Sequence, residues 1–250
     1  PIDDTPAFKA GIKPLDIILK IDNTSSINMT LDEAVTLMRG NPQTDITLTV
    51  VRKGEIKPLE IKMKRDIIKI QSVFAKTIEN TDLLYLRVSS FDAKVTEDLE
   101  KAILANKNIK GYILDLRNNP GGLLSQAIGA VNLFVDNGII VSQKGKNPDD
   151  EEKFEASVSK TKTKLPLVVL VNEGSASASE IVSGSLQDHK RAVIIGEKTF
   201  GKGSVQAVLP IENDRSENIK LTIAKYYLPS GRTIQATGVT HDVIVNYGKV

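Results

Sequence analysis

Between residues 83 and 195, short apolar segments of strand length alternate with segments that have helical spacing. The strand candidates span residues 83–88, 111–116, 139–142, 165–172 and 193–195, and the helix candidates span residues 96–105, 123–134 and about 175–187. Regular alternation of strands and helices is typical of parallel sheets covered by helices. The sequence therefore predicts an α/β fold here, and two further strand candidates follow at residues 205–211 and 219–227.

The first seventy residues have a different pattern. An apolar run at residues 17–21 predicts a strand, and Thr30 lies three residues before Glu33. That spacing is a capping box, which predicts the start of a helix. Alternating apolar residues at 46–52 and 59–63 predict two more strands. We expect this region to be a compact unit of its own.

Composition narrows the chemistry, because the 250 residues include two histidines and no cysteine. A thiolate nucleophile, a zinc–thiolate site and a disulfide framework are therefore excluded. Two distant histidines do not form the paired pattern of zinc peptidases, so we expect no metal, and nothing in the sequence implies an organic cofactor. A net charge of +2 and 4% aromatic residues argue against a nucleic-acid partner. Residues 144–164 hold six lysines against five acidic residues, which predicts a solvated loop or hairpin.

The sharpest local pattern is a buried strand that makes a tight Gly turn and enters a helix of small residues, NEGSASASE at residues 172–180. A serine there lies at the positive end of a helix, near free backbone N–H groups that could stabilise an oxyanion. The alternative is that Ser175 only caps the helix. Local sequence does not choose a nucleophile among Ser175, Ser177 and Ser179.

A nucleophilic serine needs a base. His189 lies at the far end of the same predicted helix, about 15 Å away, whereas His241 lies in a late loop and is not excluded by distance. Lysine is the remaining option, because an amine shielded from water can lose its proton near neutral pH. Lys202 is the best candidate, since Gly201 and Gly203 allow close backbone approach. The alternative is that Lys202 is an ordinary solvated lysine.

Two other segments have patterns that could indicate a binding or catalytic role. Residues 196–202 match the first seven positions of a phosphate-binding loop, but Gly203 replaces the metal-binding hydroxyl and a strand follows instead of a helix. Nucleotide binding is therefore disfavoured. The turn at residues 114–122, LDLRNNPGG, could supply an oxyanion donor or could be an ordinary strand-to-helix connection.

Together these segments resemble the carboxyl-terminal processing proteases, which are tail-specific serine peptidases of family S41. The resemblance rests on four motifs in order: LDLRNNPGG (114–122), NEGSASASEI (172–181), GEKTFGKGSVQ (196–206) and YYLPSGRTIQATGV (226–239). The N-terminal segments DTPAFKAGI (4–12), DII (16–18), ID (21–22) and EAV (33–35) resemble a PDZ domain of bacterial protease type. Two positions depart from the family patterns, namely Gln43, where Gly is common, and His241, where Pro is usual.

The resemblance implies site residues. Ser177 corresponds to the nucleophile, Lys202 to the general base, and Gln206 to the residue that orients the lysine. The oxyanion hole is expected from the N–H of Ala178 and from the Gly turn, with Gly122 preferred over Gly121. Residues 202–206 would span about 13 Å if fully extended, so contact requires the glycines to bend this stretch.

The implied architecture is an α/β protein with a PDZ-like domain at residues 1–68 and a protease domain at residues 69–250. The protease domain is expected to have a crotonase-like, Clp-protease-like core of mixed sheets and helices. The first PDZ strand and its carboxylate-binding loop are expected to precede Pro1, and the chain is interpreted as a fragment or mature form.

The implied function is cleavage of proteins near apolar or unstructured C-termini, with the PDZ domain capturing the tail and gating the site. The resemblance also implies a periplasmic or cell-envelope location, and it allows a homo-oligomer and peripheral membrane association through a preceding segment. Two alternatives stay open: an inactive PDZ scaffold that binds protein C-termini, and a crotonase-like acyl-CoA enzyme, which would not need the Ser-Lys pair.

Overall fold

A computed structural model of the chain describes residues 5–13, 16–68, 71–147, 149–211 and 214–245. The chain divides into two compact units, Pro1–Gln71 and Ser72–Val250. The predicted domain boundary adjoins residues 69–70, which lie outside the described residues. No helix in the described ranges is long and apolar enough to cross a membrane.

The N-terminal unit is a four-stranded antiparallel sheet with two helices. Its elements are α1 (Pro6–Lys9), β1 (Ile17–Ile21), β2 (Thr24–Ser25), α2 (Leu31–Met38), β3 (Asp45–Val51) and β4 (Leu59–Lys64), and the strand order is β2-β1-β3-β4. The predicted capping box opens α2, because Thr30 and Glu33 bond each other's backbone N–H groups. Alternate residues of β3 form the small core together with Ile21.

The C-terminal unit contains the remaining elements. They are β5 (Val73–Thr77), β6 (Leu83–Val88), α3 (Val95–Ala105), β7 (Gly111–Asp115), α4 (Leu124–Asn132), β8 (Ile139–Lys144), β9 (Glu151–Glu155), a 3₁₀ turn (Val158–Lys160), β10 (Leu167–Val171), α5 (Ala178–Asp188), β11 (Val193–Gly196), β12 (Ser204–Ile211), β13 (Asp214–Tyr227) and β14 (Val243–Ile244). The predicted alternation of strands and helices is confirmed.

The main sheet has the order β14-β11-β10-β7-β6-β5. Its strands pair in parallel except at the β5 edge, where β5 pairs with β6 antiparallel. The central strands β7 and β10 are largely buried, as expected for a parallel sheet with helices packed on it. Their carboxyl ends therefore lie at the same edge of the sheet.

A second sheet of this unit has the order β12-β13-β8-β9. The predicted loop or hairpin at 144–164 is in part a hairpin, because β9 pairs antiparallel with β8. Strand β5 has no sequence prediction, since four of its five residues are exposed and its apolar pattern is weak. Helix α5 begins at Ala178, three residues later than predicted, because Ser177 has a non-helical backbone.

The ion pair between Asp16 and Arg52 gives the N-terminal unit a pH-dependent stability. Arg52 Nε and Nη2 donate to the two Asp16 oxygens at 2.8 and 2.7 Å, and the Lys13 N–H adds a third bond. These bonds, those from Arg52 above all, lower the Asp16 pKa from 3.8 to about 2. Because the folded pKa is the lower one, the stabilisation is present above about pH 4 and is lost as the pH falls towards 2.

We predict that Asp16→Asn lowers the thermal stability of this unit at pH 7 and flattens its pH dependence between pH 4 and pH 2. Thermal unfolding followed by circular dichroism across that range checks this. Glu60→Gln is the control, because Glu60 is an exposed carboxyl that makes no ion pair among the described residues. Equal pH profiles for Asp16→Asn and the parent protein would contradict the prediction.

Candidate active site

Two turns that follow the central strands build the site. Strand β7 leads into the turn at residues 116–123, and β10 leads into the turn at residues 172–177. The strands pair in parallel, so the two turns meet at one sheet edge. They are joined there by reciprocal bonds between Asn118 and Asn172, at 2.8 Å from backbone N–H to side-chain oxygen and 2.9 Å between the side chains. Carboxyl edges of parallel strands are where α/β proteins usually place ligands.

The structure distinguishes the three serines that the sequence leaves open. Ser175 and Ser179 are fully buried, and their hydroxyls donate to the carbonyls of Leu116 and Asn119 at 2.8 and 2.9 Å. Ser177 is partly exposed, and within the described part of the chain its hydroxyl donates no hydrogen bond. Ser177 is thus the serine whose oxygen is available to react.

Ser177 also has a strained backbone. Its φ of 56° and ψ of −112° lie outside the regions that a residue with a side chain normally adopts. Such strain costs about 1–3 kcal/mol and is found mostly at functional sites. A serine held on a strained turn between a strand and a helix presents its hydroxyl outward.

The turn at residues 116–123, the glycine turn, lies directly against Ser177. A Cβ on Gly121 would come within 2.8 Å of the Ser177 Cβ and within 3.0 Å of the Ala178 nitrogen, so only glycine fits there. The Gly121 N–H donates to the Asn119 side chain at 2.9 Å and is therefore occupied. No hydrogen bond of the described residues uses the N–H of Gly122 or that of Ala178. These two N–H groups remain available to an oxyanion.

One buried carboxylate connects the turn at residues 172–177 to the loop that carries Lys202. Glu180 is fully buried, and its Oε2 accepts the backbone N–H of both Ser177 and Lys202 at 2.8 Å. Its Oε1 accepts the Thr199 hydroxyl at 2.6 Å and the Gly201 N–H at 2.7 Å. Because two of these bonds share one oxygen, the backbones of Ser177 and Lys202 are close neighbours.

The side chains of Lys202 and Gln206 are both exposed. Within the described part of the chain, no hydrogen bond joins the Lys202 amine to the Ser177 hydroxyl or to Gln206. Gln206 lies in β12, next to a register shift after Val205. The Lys202 backbone thus lies next to that of Ser177, while the side chains of Lys202, Ser177 and Gln206 are not hydrogen-bonded to one another within the described residues.

Charged groups hold the start of the turn after β7. Asp115 is buried and accepts bonds from the Arg117 side chain and from the Tyr85 hydroxyl, the latter at 2.6 Å. Burial acts to raise the Asp115 pKa, but the bonds from Arg117 and Tyr85 outweigh it, so that pKa is lowered. Burial and the bond to Asp115 raise the Tyr85 pKa to about 12.

Among the described residues, no group of three or more metal-binding side chains is present.

Sequence reasoning missed Glu180 and Asn119, although both lie inside motifs that it singled out. A signal for Glu180 was available, since Ser177 and Glu180 have the Ser-x-x-Glu spacing of a capping box. What that spacing does not predict is the three further donors to Glu180, which come from the loop at residues 199–202.

Comparisons with known proteins identify the family and the fold. The family model described as Peptidase family S41 matches residues 82–245, and the model described as PDZ domain matches residues 1–52. A solved structure named photosystem II D1 C-terminal processing protease superposes with a TM-score of 0.68 at 30% identity, covering 98% of this chain and 67% of that one. These matches confirm both resemblances and the fold class.

Two curated relatives have names of the same kind. The carboxy-terminal-processing protease of Bartonella bacilliformis is 49% identical over 251 residues, covering 98% of this chain and 57% of that protein. The carboxy-terminal processing protease CtpA of Bacillus subtilis is 40% identical over 245 residues, covering 97% of this chain and 52% of that protein. The chain thus spans little more than half the length of these relatives.

We predict that Glu180→Gln loosens the loop that carries Lys202. In either orientation the new amide places an NH₂ group where a backbone N–H now donates, so at least one buried bond is lost. A loss of about 1–3 kcal/mol in stability is expected. Hydrogen exchange measured by mass spectrometry should show faster exchange at Gly201 and Lys202.

Glu173→Gln is the matched control. Glu173 is exposed on the same turn, and its side chain makes no hydrogen bond or ion pair within the described ranges. Its substitution should leave both stability and exchange unchanged. Unaltered exchange at Gly201 and Lys202 in Glu180→Gln would refute the bridging role.

Proposed function

This chain belongs to peptidase family S41, and we propose that it is a serine endopeptidase that cleaves proteins near their C-termini with a dyad of Ser177 and Lys202. The observation that carries the proposal is the Glu180 carboxylate, one oxygen of which accepts the backbone N–H of both residues at 2.8 Å. The strained Ser177 backbone supports the same assignment, as does its hydroxyl, which donates no hydrogen bond within the described residues.

The proposed reaction is acyl transfer through a covalent intermediate. The neutral Lys202 amine takes the proton from the Ser177 hydroxyl while the oxygen attacks the scissile carbonyl. The negative charge that develops on the carbonyl oxygen is stabilised by the N–H groups of Gly122 and Ala178. The protonated lysine then gives its proton to the leaving amine, and a water molecule activated by the same lysine releases the acyl group from Ser177.

The exposed Lys202 side chain has to rotate towards Ser177 for this reaction. Its flexible stem allows this, because the two backbones are already adjacent. Catalytic hydrogen bonds in ligand-free enzymes are often unformed and tighten only when substrate binds. We propose that a bound polypeptide excludes water from the amine, and that Gln206 then orients it.

The N-terminal unit is proposed to select the substrate. Its family match is a PDZ domain, and PDZ domains bind an extended peptide beside a strand and hold its terminal carboxylate in a backbone loop. Capture of an apolar C-terminal tail would deliver the adjacent unfolded segment to Ser177 and would make cleavage depend on the tail.

We predict that Ser177→Ala and Lys202→Ala each lower the cleavage rate of an unfolded protein with an apolar tail by at least about 1,000-fold, because each removes a member of a catalytic unit. The appearance of product by mass spectrometry measures this. Lys198→Ala is the matched control, because Lys198 is an exposed lysine of the same loop that bonds no dyad residue.

Undiminished cleavage by either dyad variant would refute the dyad. If the parent protein cleaves none of several such substrates but binds their tails, the inactive scaffold is favoured instead. Hydrolysis of an acyl-CoA thioester that persists in Lys202→Ala would favour the crotonase-like alternative.

A second prediction concerns the tail. Two aspartates added to the C-terminus of the substrate should lower kcat/KM by about tenfold or more, chiefly through KM, because a groove for apolar residues would have to desolvate two charges. The same two aspartates added at the N-terminus of the substrate are the control. Equal kcat/KM values for the two substrates would contradict recognition of the tail.

A further inference from the structure

We infer that Asn119 is a positioning residue that sets which backbone N–H groups face the reacting carbonyl. The inference rests on the proposed function, because it concerns the oxyanion hole of that reaction. It assigns a specific task to a residue that touches neither the substrate nor the dyad, and it depends on contacts that join both halves of the hole.

The Asn119 side chain is fully buried, and both ends of its amide are hydrogen-bonded. Its Nδ2 donates to the Val88 carbonyl at the end of β6 at 2.8 Å. Its Oδ1 accepts the Gly121 N–H at 2.9 Å. One amide therefore anchors the glycine turn to the main sheet, with one hydrogen bond from its nitrogen and one to its oxygen.

The Asn119 backbone carbonyl holds the other half of the site. It accepts the Ala176 N–H at 3.0 Å and the Ser179 hydroxyl at 2.9 Å. These two residues flank the strained Ser177 and the Ala178 N–H. Asn119 thus fixes the glycine turn through its side chain and the turn at residues 172–177 through its backbone.

These bonds determine which of two adjacent N–H groups, that of Gly121 or that of Gly122, can donate to the oxyanion. With its N–H bonded to Asn119, Gly121 cannot donate to an oxyanion, whereas the N–H of Gly122 has no partner within the described ranges. Phe91 fixes the turn from its other side, because its N–H donates to the Gly121 carbonyl at 2.9 Å and its carbonyl accepts the Leu123 N–H at 2.8 Å. The turn is therefore held in one orientation before any substrate arrives, as preorganised electrostatic stabilisation requires.

The first test substitutes Asn119→Ala, which frees the Gly121 N–H and the anchor on β6. We expect kcat to fall about 10- to 100-fold with KM unchanged, since a misplaced donor weakens only the transition state. A peptide aldehyde, which forms a tetrahedral adduct with a catalytic serine, should bind weaker by the same factor. The matching peptide alcohol, which forms no adduct, should bind as before.

Asn132→Ala is the matched control. Asn132 is also a buried asparagine of this unit, and its side chain bonds the backbone of Val135 and Ser157 at 2.9–3.1 Å, away from the glycine turn. A loss of thermal stability is expected in both variants. Only Asn119→Ala should change kcat and aldehyde affinity.

A second test uses the unaltered protein, so that no variant has to fold. Backbone NMR with and without the peptide aldehyde should show downfield shifts and slower exchange for the N–H groups of Gly122 and Ala178. The N–H of Gly121 should be protected from exchange already in the free protein and should stay so.

Two results would overturn the inference. One is an Asn119→Ala variant that folds and keeps its kcat and aldehyde affinity, and the other is an aldehyde-induced shift at Gly121 in place of Gly122. Failure of the proposed function looks different, because Ser177→Ala would then retain cleavage and the aldehyde would shift none of these N–H groups.

Discussion

The site depends on a carboxylate that is buried beneath it. Glu180 is fully buried, and a buried charge is costly unless its oxygens are bonded. Four donors satisfy it, and bonds to a charged group contribute about 1.5–3 kcal/mol each. It also lies in the first turn of α5, where the positive end of the helix favours an anion. The same interactions that offset the burial of Glu180 hold the loop of Lys202 beside Ser177.

The strain at Ser177 is sustained by neighbours on both sides. The Ser177 N–H donates to Glu180, and the preceding Ala176 N–H donates to the Asn119 carbonyl. These bonds leave the backbone no alternative that keeps them all, so a cost of about 1–3 kcal/mol is tolerated. Both turns start from the ends of the central strands β7 and β10, which support them. Glu180 and Asn119 thus fix the Ser177 backbone by hydrogen bonds, as packing fixes a core residue.

The sequence predicts the strands and helices of this fold wherever burial makes apolar residues recur at a regular spacing. Strand β6 has its predicted bounds, since its residues alternate between deeper and shallower burial, while the exposed edge strand β5 carries no such signal. Motifs identify the segments that form the site but not the hydrogen bonds that join them. No spacing rule indicates that Glu180 receives donors from residues 199–202, or that Asn119 occupies the Gly121 N–H. Those contacts depend on tertiary placement, which a local pattern does not encode.

Tertiary placement also bears on which residue we propose as the base. Helix α5 has 11 residues and so is about 16 Å long, with Ser177 preceding its first residue and His189 following its last. His189 is engaged there with the Ile139 carbonyl at 2.7 Å. His241, which sequence distance alone leaves open, adjoins Asp242, whose side chain bonds Gln187 near the same far end of the helix. His189 therefore lies a helix length from Ser177, whereas a shared carboxylate oxygen ties the Lys202 backbone to that of Ser177. Of the two histidines and Lys202, Lys202 is the residue whose backbone the structure ties to that of Ser177.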